Sequence, residues 1–189
     1  MLRYLEEGGK YVEATGFKDV GFEDAEELIK AFRKEKQKDV TIQFFDSKFV
    51  ATWEHLYFAV LDALMACRTG RNISKNLAME VMLYASAQRQ IRKAIQLIGV
   101  KCGCCANIAV VIIGYNEAAV GAELMRISKR LDKKPDDGVL RLSDDKAQSI
   151  RRAFGISSKE LEAVMGKDNE EKALVSIIIE RMALLSTQL

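Results

Sequence analysis

Ile108-Ala109-Val110-Val111-Ile112-Ile113 runs without a polar side chain between Asn107 and Gly114, and five of its six residues are β-branched. In an extended chain successive side chains point to opposite faces. A segment that is apolar at both parities therefore fits a strand covered on both sides. Around it, Val40–Phe45 reads as a second buried strand, and Tyr11–Ala14, just before Gly16, as a short third one. Leu140 and Leu142 suggest another short strand after the turn Pro135-Asp136-Asp137-Gly138.

Between these strands the apolar period lengthens from two to about 3.6. Ala25, Leu28, Ile29 and Phe32 predict a helix ending near Lys36. From Thr52, Leu56, Ala59, Val60, Ala63, Leu64 and Cys67 form one stripe, with Trp53, Tyr57 and Leu61 on the next. A helix apolar over so much of its girth belongs in the middle of the fold. Asn72–Ala85 predicts another, with Leu77, Val81 and Tyr84 inward. Ile91, Ala94, Ile95 and Ile98 mark the inner face of the next, which Gly99 stops. Val120, Leu124, Ile127 and Leu131 give one more, with Lys129 and Arg130 suited to its negative end. Ser143 can cap a helix through Phe154, and Ser157 with Glu160, then Asp168 with Glu171, have cap-box spacing before two final helices. The expectation is an α/β (α+β) fold: one helix-rich domain over residues 1–189, with its helices packed on a small mixed sheet.

The chain's 189 residues, 49% hydrophobic and 30% charged, suffice for one packed domain. No apolar window reaches 18 residues, and the first ten residues carry Arg3, Glu6 and Glu7, so neither a membrane span nor a secretory signal is expected and a cytoplasmic location is. His55 is the single histidine, so any serine or cysteine triad must use it and a multi-histidine metal site is excluded. Cys102, Cys104 and Cys105 form one crowded cluster where a structural zinc site normally needs two knuckles, so reduced thiols are expected. The glycines match no phosphate-binding fingerprint. No cofactor, metal or small-molecule substrate is implied.

Charge is uneven beneath a net +2. Residues 1–65 hold nine Lys and Arg against thirteen Asp and Glu, while residues 102–189 hold thirteen of each. The middle, 66–101, holds Arg68, Arg71, Lys75, Arg89, Arg92, Lys93 and Lys101 against Glu80 alone. Such a segment suits an anionic partner, with nucleic-acid phosphate the first candidate, or an ordinary solvated surface. At ~100° per residue, Arg89, Arg92, Lys93 and Gln96 fall opposite the isoleucine stripe. With Asn76, Gln90 and the ring of Tyr84 they make a candidate groove for single-stranded RNA: cations for phosphates, flat surfaces for bases, amides for base edges. The last helix is the second feature. Leu174, Val175, Ile177, Ile178, Ile179, Met182, Leu184 and Leu185 spread over about 220° of a wheel, about twice the usual stripe. Either this helix docks another protein, through Leu174, Ile177, Ile178, Met182 and Leu185, or it is sunk between other helices.

The runs Ile73-Ser-Lys-Asn-Leu-Ala-Met-Glu80, Ala85-Ser-Ala-Gln-Arg-Gln-Ile-Arg-Lys-Ala94 and Ile95-Gln-Leu-Ile-Gly99, with the strand Asn107–Gly114, resemble the PRPK-binding protein family, the small regulatory subunit of the KEOPS complex. The resemblance implies a non-catalytic protein that docks on a PRPK-like kinase/ATPase subunit, within a complex that adds threonylcarbamoyl to tRNA. It also implies a hold on the single-stranded tRNA 3′ CCA end. Asn76, Glu80, Arg89, Gln90 and Ile91 lie inside the matched runs, whereas Arg68, Arg71, Lys75, Arg92 and Lys93 are RNA candidates mainly by charge. The alternative is a protein-only kinase adaptor whose basic middle is incidental.

Overall fold

In a computed structural model, residues 1–21, 23, 27, 29–31, 39–101, 106–165 and 169–187 are described. Four strands, β1 (Leu2–Leu5), β2 (Lys10–Val20), β3 (Val40–Asp46) and β4 (Ala106–Gly114), form a sheet in the order β1-β2-β4-β3. Every pairing is antiparallel, so the α+β class holds but the sheet is not mixed. β4 lies between β2 and β3, with Ile112 facing Glu13 on one side and Ile42 on the other.

The apolar run at both parities is explained by two cores. Ala109, Val111 and Ile113 point to one face, where they meet Val12, Ala14 and Phe45 under the helices α1 (Trp53–Thr69), α2 (Leu77–Ala85) and α7 (Glu170–Leu185). Ile108, Val110 and Ile112 point to the other, with Phe17, Phe44 and the Val120, Ile127 and Leu131 side chains of α4 (Glu117–Leu131). Full burial of each such Val or Ile side chain stabilises by roughly 1.5–3 kcal/mol, so the centre of the sheet is the strongest part of the fold.

Three further α-helices follow the same numbering: α3 (Ile91–Ile98), α5 (Asp144–Phe154) and α6 (Ser158–Met165). The caps largely follow the sequence. Ser143 accepts from the Lys146 amide, and the Ser157 and Glu160 side chains satisfy each other's backbone amides. Before α7, however, Asn169 is the cap, accepting from the Lys172 amide; Asp168 lies outside the described residues. The helix expected over Ala25–Lys36 lies largely outside them too, although residues 29–31 are helical. So do Cys102, Cys104 and Cys105.

One strand was missed and two expectations are corrected. Leu2–Leu5 is a strand, unannounced by Leu-Arg-Tyr-Leu, and makes a hairpin with β2. Residues Asp137–Leu140 form a 3-10 turn instead of a strand. The Lys146 ammonium donates to the carbonyls of Val139 (2.9 Å) and Arg141 (3.2 Å), taking the groups a ladder would need. The helix predicted from Asn72 begins only at Leu77, capped by Asn76.

Candidate nucleic-acid interface

α1 ends where Gly70 adopts the left-handed conformation, at φ 70°, which a side chain would resist. The chain then turns back through Arg71–Asn76 before α2. This loop is fastened at its three uncharged polar side chains. Asn72 donates to the Ser74 carbonyl (2.9 Å), the Ser74 hydroxyl accepts from the Asn76 amide (3.2 Å), and the Asn76 side chain accepts from the Met79 amide (3.2 Å). Beneath it the Glu80 carboxylate, fully buried, accepts from the amides of Ile73 (3.0 Å) and Ser74 (2.6 Å). What the loop shows to solvent is Arg71, Ile73, Lys75 and Asn76.

At the other end of α2 stands the turn Ser86–Gln90. His55, fully buried, joins it to α1: its Nδ1 accepts from the Ala51 amide (3.1 Å), so the proton sits on Nε2, which donates to the Ala85 carbonyl (2.7 Å). Burial pushes its pKa down to about 4, leaving a neutral ring with both nitrogens committed to backbone. That is a structural histidine.

The nine expected RNA-facing residues separate into three groups. Arg71, Lys75, Asn76, Gln90, Arg92 and Lys93 are exposed. Arg68 is exposed as well, but it donates to the Glu7 carbonyl (3.0 Å) and clasps the β1–β2 hairpin tip. Arg89 and Tyr84 are corrections. Arg89 precedes α3 instead of sharing its outer face, is half-buried, and donates to the Leu185 carbonyl (3.3 Å) at the end of α7. Tyr84 is only 2% exposed, and burial, with Glu80 and Asp62 nearby, lifts its hydroxyl pKa to about 12. It is a core ring and offers no face to a base.

The cations are thus gathered at the two ends of buried α2, roughly 13 Å apart at 1.5 Å per residue. Among the described residues, none of Arg68, Arg71, Lys75, Arg92 and Lys93 is ion-paired. The apolar surface beside them was missed. Ile91 and Ile95, expected inward, are 43% and 39% exposed, while Ala94 and Ile98 are fully buried. With Ile73 they put aliphatic faces among the cations. Asp62, on α1, electrostatically within reach of Tyr84, is half-buried, and burial raises its carboxyl pKa to about 6.

The five residues expected to dock a partner are all buried: Leu174, Ile178 and Met182 within the core, Leu185 and Ile177 at its margin. α7 packs against α1, α2, α5 and α6, which accounts for its wide apolar arc. Its outward apolar residue is Leu184, 47% exposed, beside a cavity of about 160 Å³ lined by Ser86, Gln88, Phe154 and Arg181.

Residues 17–186 match the family described as kinase binding protein CGI-121. The regulatory protein Cgi121 of Methanocaldococcus jannaschii is 34% identical over 114 residues, which cover 60% of this chain and 70% of that protein. The match takes in the helices, β3, β4 and the end of β2, and agrees with the likeness carried by Ile73–Gly99 and Asn107–Gly114. The chain belongs to the CGI-121 family of kinase-binding proteins.

Proposed function

We propose that this protein is an accessory subunit of the KEOPS tRNA threonylcarbamoyladenosine-modification complex that binds the kinase/ATPase subunit and holds the tRNA 3′ CCA end. The observation carrying the RNA part is the set of exposed, unpaired cations at both ends of α2, interleaved with Ile73, Ile91 and Ile95. Arg71 and Lys75 on one side, and Arg92 and Lys93 on the other, neutralise phosphates and release counterions. The aliphatic faces, in place of the buried Tyr84, take the flat surfaces of the bases. The protein performs no bond-making step in this reading; it raises the local concentration of tRNA at the complex.

Comparing full-length tRNA with tRNA trimmed of its terminal CCA tests this directly. An end-binder loses most of its affinity on trimming, and its log K falls with log salt at a slope near −0.7 per phosphate engaged. Equal binding of both forms would remove the RNA part and leave the kinase adaptor. That second reading is favoured by Tyr84 and Arg89, two of the expected RNA contacts that the fold uses internally.

For the kinase, the surface we favour is the end of α7 at Leu184 and its adjoining cavity. Leu184→Glu is expected to weaken co-purification with the kinase subunit; undiminished association would move the interface elsewhere.

A further inference from the structure

Glu80 stands out against its surroundings. It is the one acid between residues 66 and 101, in a segment with seven basic residues. A carboxylate placed in a phosphate-binding region weakens attraction to RNA, and burying one is costly unless its charge is hydrogen-bonded. Here both oxygens are occupied by adjacent backbone donors, the amides of Ile73 and Ser74, in charge-assisted bonds. These two amides belong to the loop that exposes Arg71, Ile73 and Lys75. With them committed, those two amides are unavailable to a phosphate, and the loop meets RNA chiefly through its exposed side chains.

From this geometry we infer that Glu80 is a positioning residue for RNA: it acts through the Ile73 and Ser74 amides to fix the loop that presents Arg71, Ile73 and Lys75 to the tRNA end. The inference rests on the RNA reading above and adds to it a cause for the loop's shape. It also makes a claim opposite in sign to simple electrostatics. Glu80→Gln raises the local charge by one unit, so a patch working by charge alone binds RNA more tightly. A glutamine, however, has one oxygen and one NH2 group where two amide N–H donors converge, so one of the two loop bonds is replaced by a donor facing a donor. A loosened loop must be ordered again on binding, which lowers affinity.

The experiment measures binding of tRNA with and without its terminal CCA to the full chain and to Glu80→Gln, across a salt series, with kinase association and thermal melting of the same samples. The expected result is about a tenfold loss of affinity for CCA-ended tRNA and a collapse of the preference over trimmed tRNA. The salt slope and kinase association stay unchanged, because the cations and the core remain. Affinity that is unchanged or tighter overturns the inference. Should Glu80→Gln melt below the assay temperature, Asn72→Ala and Ser74→Ala release the same loop without touching the buried carboxylate. They are expected to show the same selective loss, and unaltered binding by both overturns the inference equally. Failure of the RNA reading is seen separately, in a parent protein that does not distinguish the two tRNAs, and it removes the inference as well.

Discussion

α3 and α7 are both short of polar residues on one side and rich in isoleucine, yet the fold treats them in opposite ways. α7 is sunk among four helices and buries Leu174, Ile177, Ile178 and Met182. α3 rests on its neighbours through Ala94, Leu97 and Ile98 and leaves Ile91 and Ile95 at the rim. Apolar breadth marks depth in the first case and an available surface in the second. The difference lies in how many neighbours each helix has, which no wheel records.

The sharpest way to break this contrast is a charge in α7. Ile178→Asp places a carboxylate where nothing can pair with it, and a loss of more than about 4 kcal/mol is expected, enough to prevent folding of an ordinary domain. Soluble protein with a near-normal urea midpoint would show that α7 is a surface helix after all.

Acid probes the buried joint at the C-terminal end of α2. His55 has its pKa lowered from 6.5 to about 4 in the folded chain. Between those values the unfolded chain binds the extra proton, so this contribution is complete above pH 6.5 and is lost as pH falls toward 4. That lowering corresponds to about 3 kcal/mol. Urea titrations at a series of pH values should show this loss, and a His55→Gln variant should lack it. A parallel pH dependence in both proteins would dissociate His55 from the effect.

On the α3 side, Arg92→Glu with Lys93→Glu should alter stability by less than about 0.5 kcal/mol, since both side chains are exposed. The same protein should lose tRNA affinity by about tenfold or more, equivalent to ~1.4 kcal/mol. Loss of folding instead would mean that α3 depends on those charges for its place.

The smallest effect has the opposite pH sign to that of His55. Burial raises Asp62 from 3.8 to about 6, so the folded chain retains the proton longer than the unfolded one. Its ionisation therefore costs stability progressively as pH rises from about 4 to 6. Asp62→Asn should match the parent below pH 4 and exceed it in melting temperature above pH 6; identical curves would show the carboxyl to be well solvated.

How far the sequence speaks depends on how local the deciding interaction is. The strand Ile108–Ile113 was legible because burial on both faces is written into its own residues. Ser143 and Ser157 announced helix starts for a like reason: their capping partners, Lys146 and Glu160, lie three residues on. The late start of α2 was hidden, because the loop Arg71–Asn76 is held open by Glu80 from the helix that follows. Leu140 and Leu142 read as strand because the Lys146 ammonium that claims the local carbonyls comes later in the chain. In α3, Leu97, Ala94 and Ile98 lie side by side on the wheel at ~100° per residue; choosing that flank over the one holding Ile91 and Ile95 was a tertiary decision. Of the site, the exposed cations were legible as charge, whereas the burial of Tyr84 and the tether of Arg89 to α7 were not.

The central strand lies late in the chain. β2 and β3 both pair with β4, and about 60 residues separate the end of β3 from Ala106. At ribosomal rates of 5–20 residues per second that gap lasts roughly 3–12 s. For that interval the nascent protein carries two strands with unsatisfied edges, Val12 and Phe45 among their exposed side chains, and no template between them. The sheet closes only when the last strand slides into the middle, which makes the growing chain a natural client for chaperones before it is a partner for any kinase.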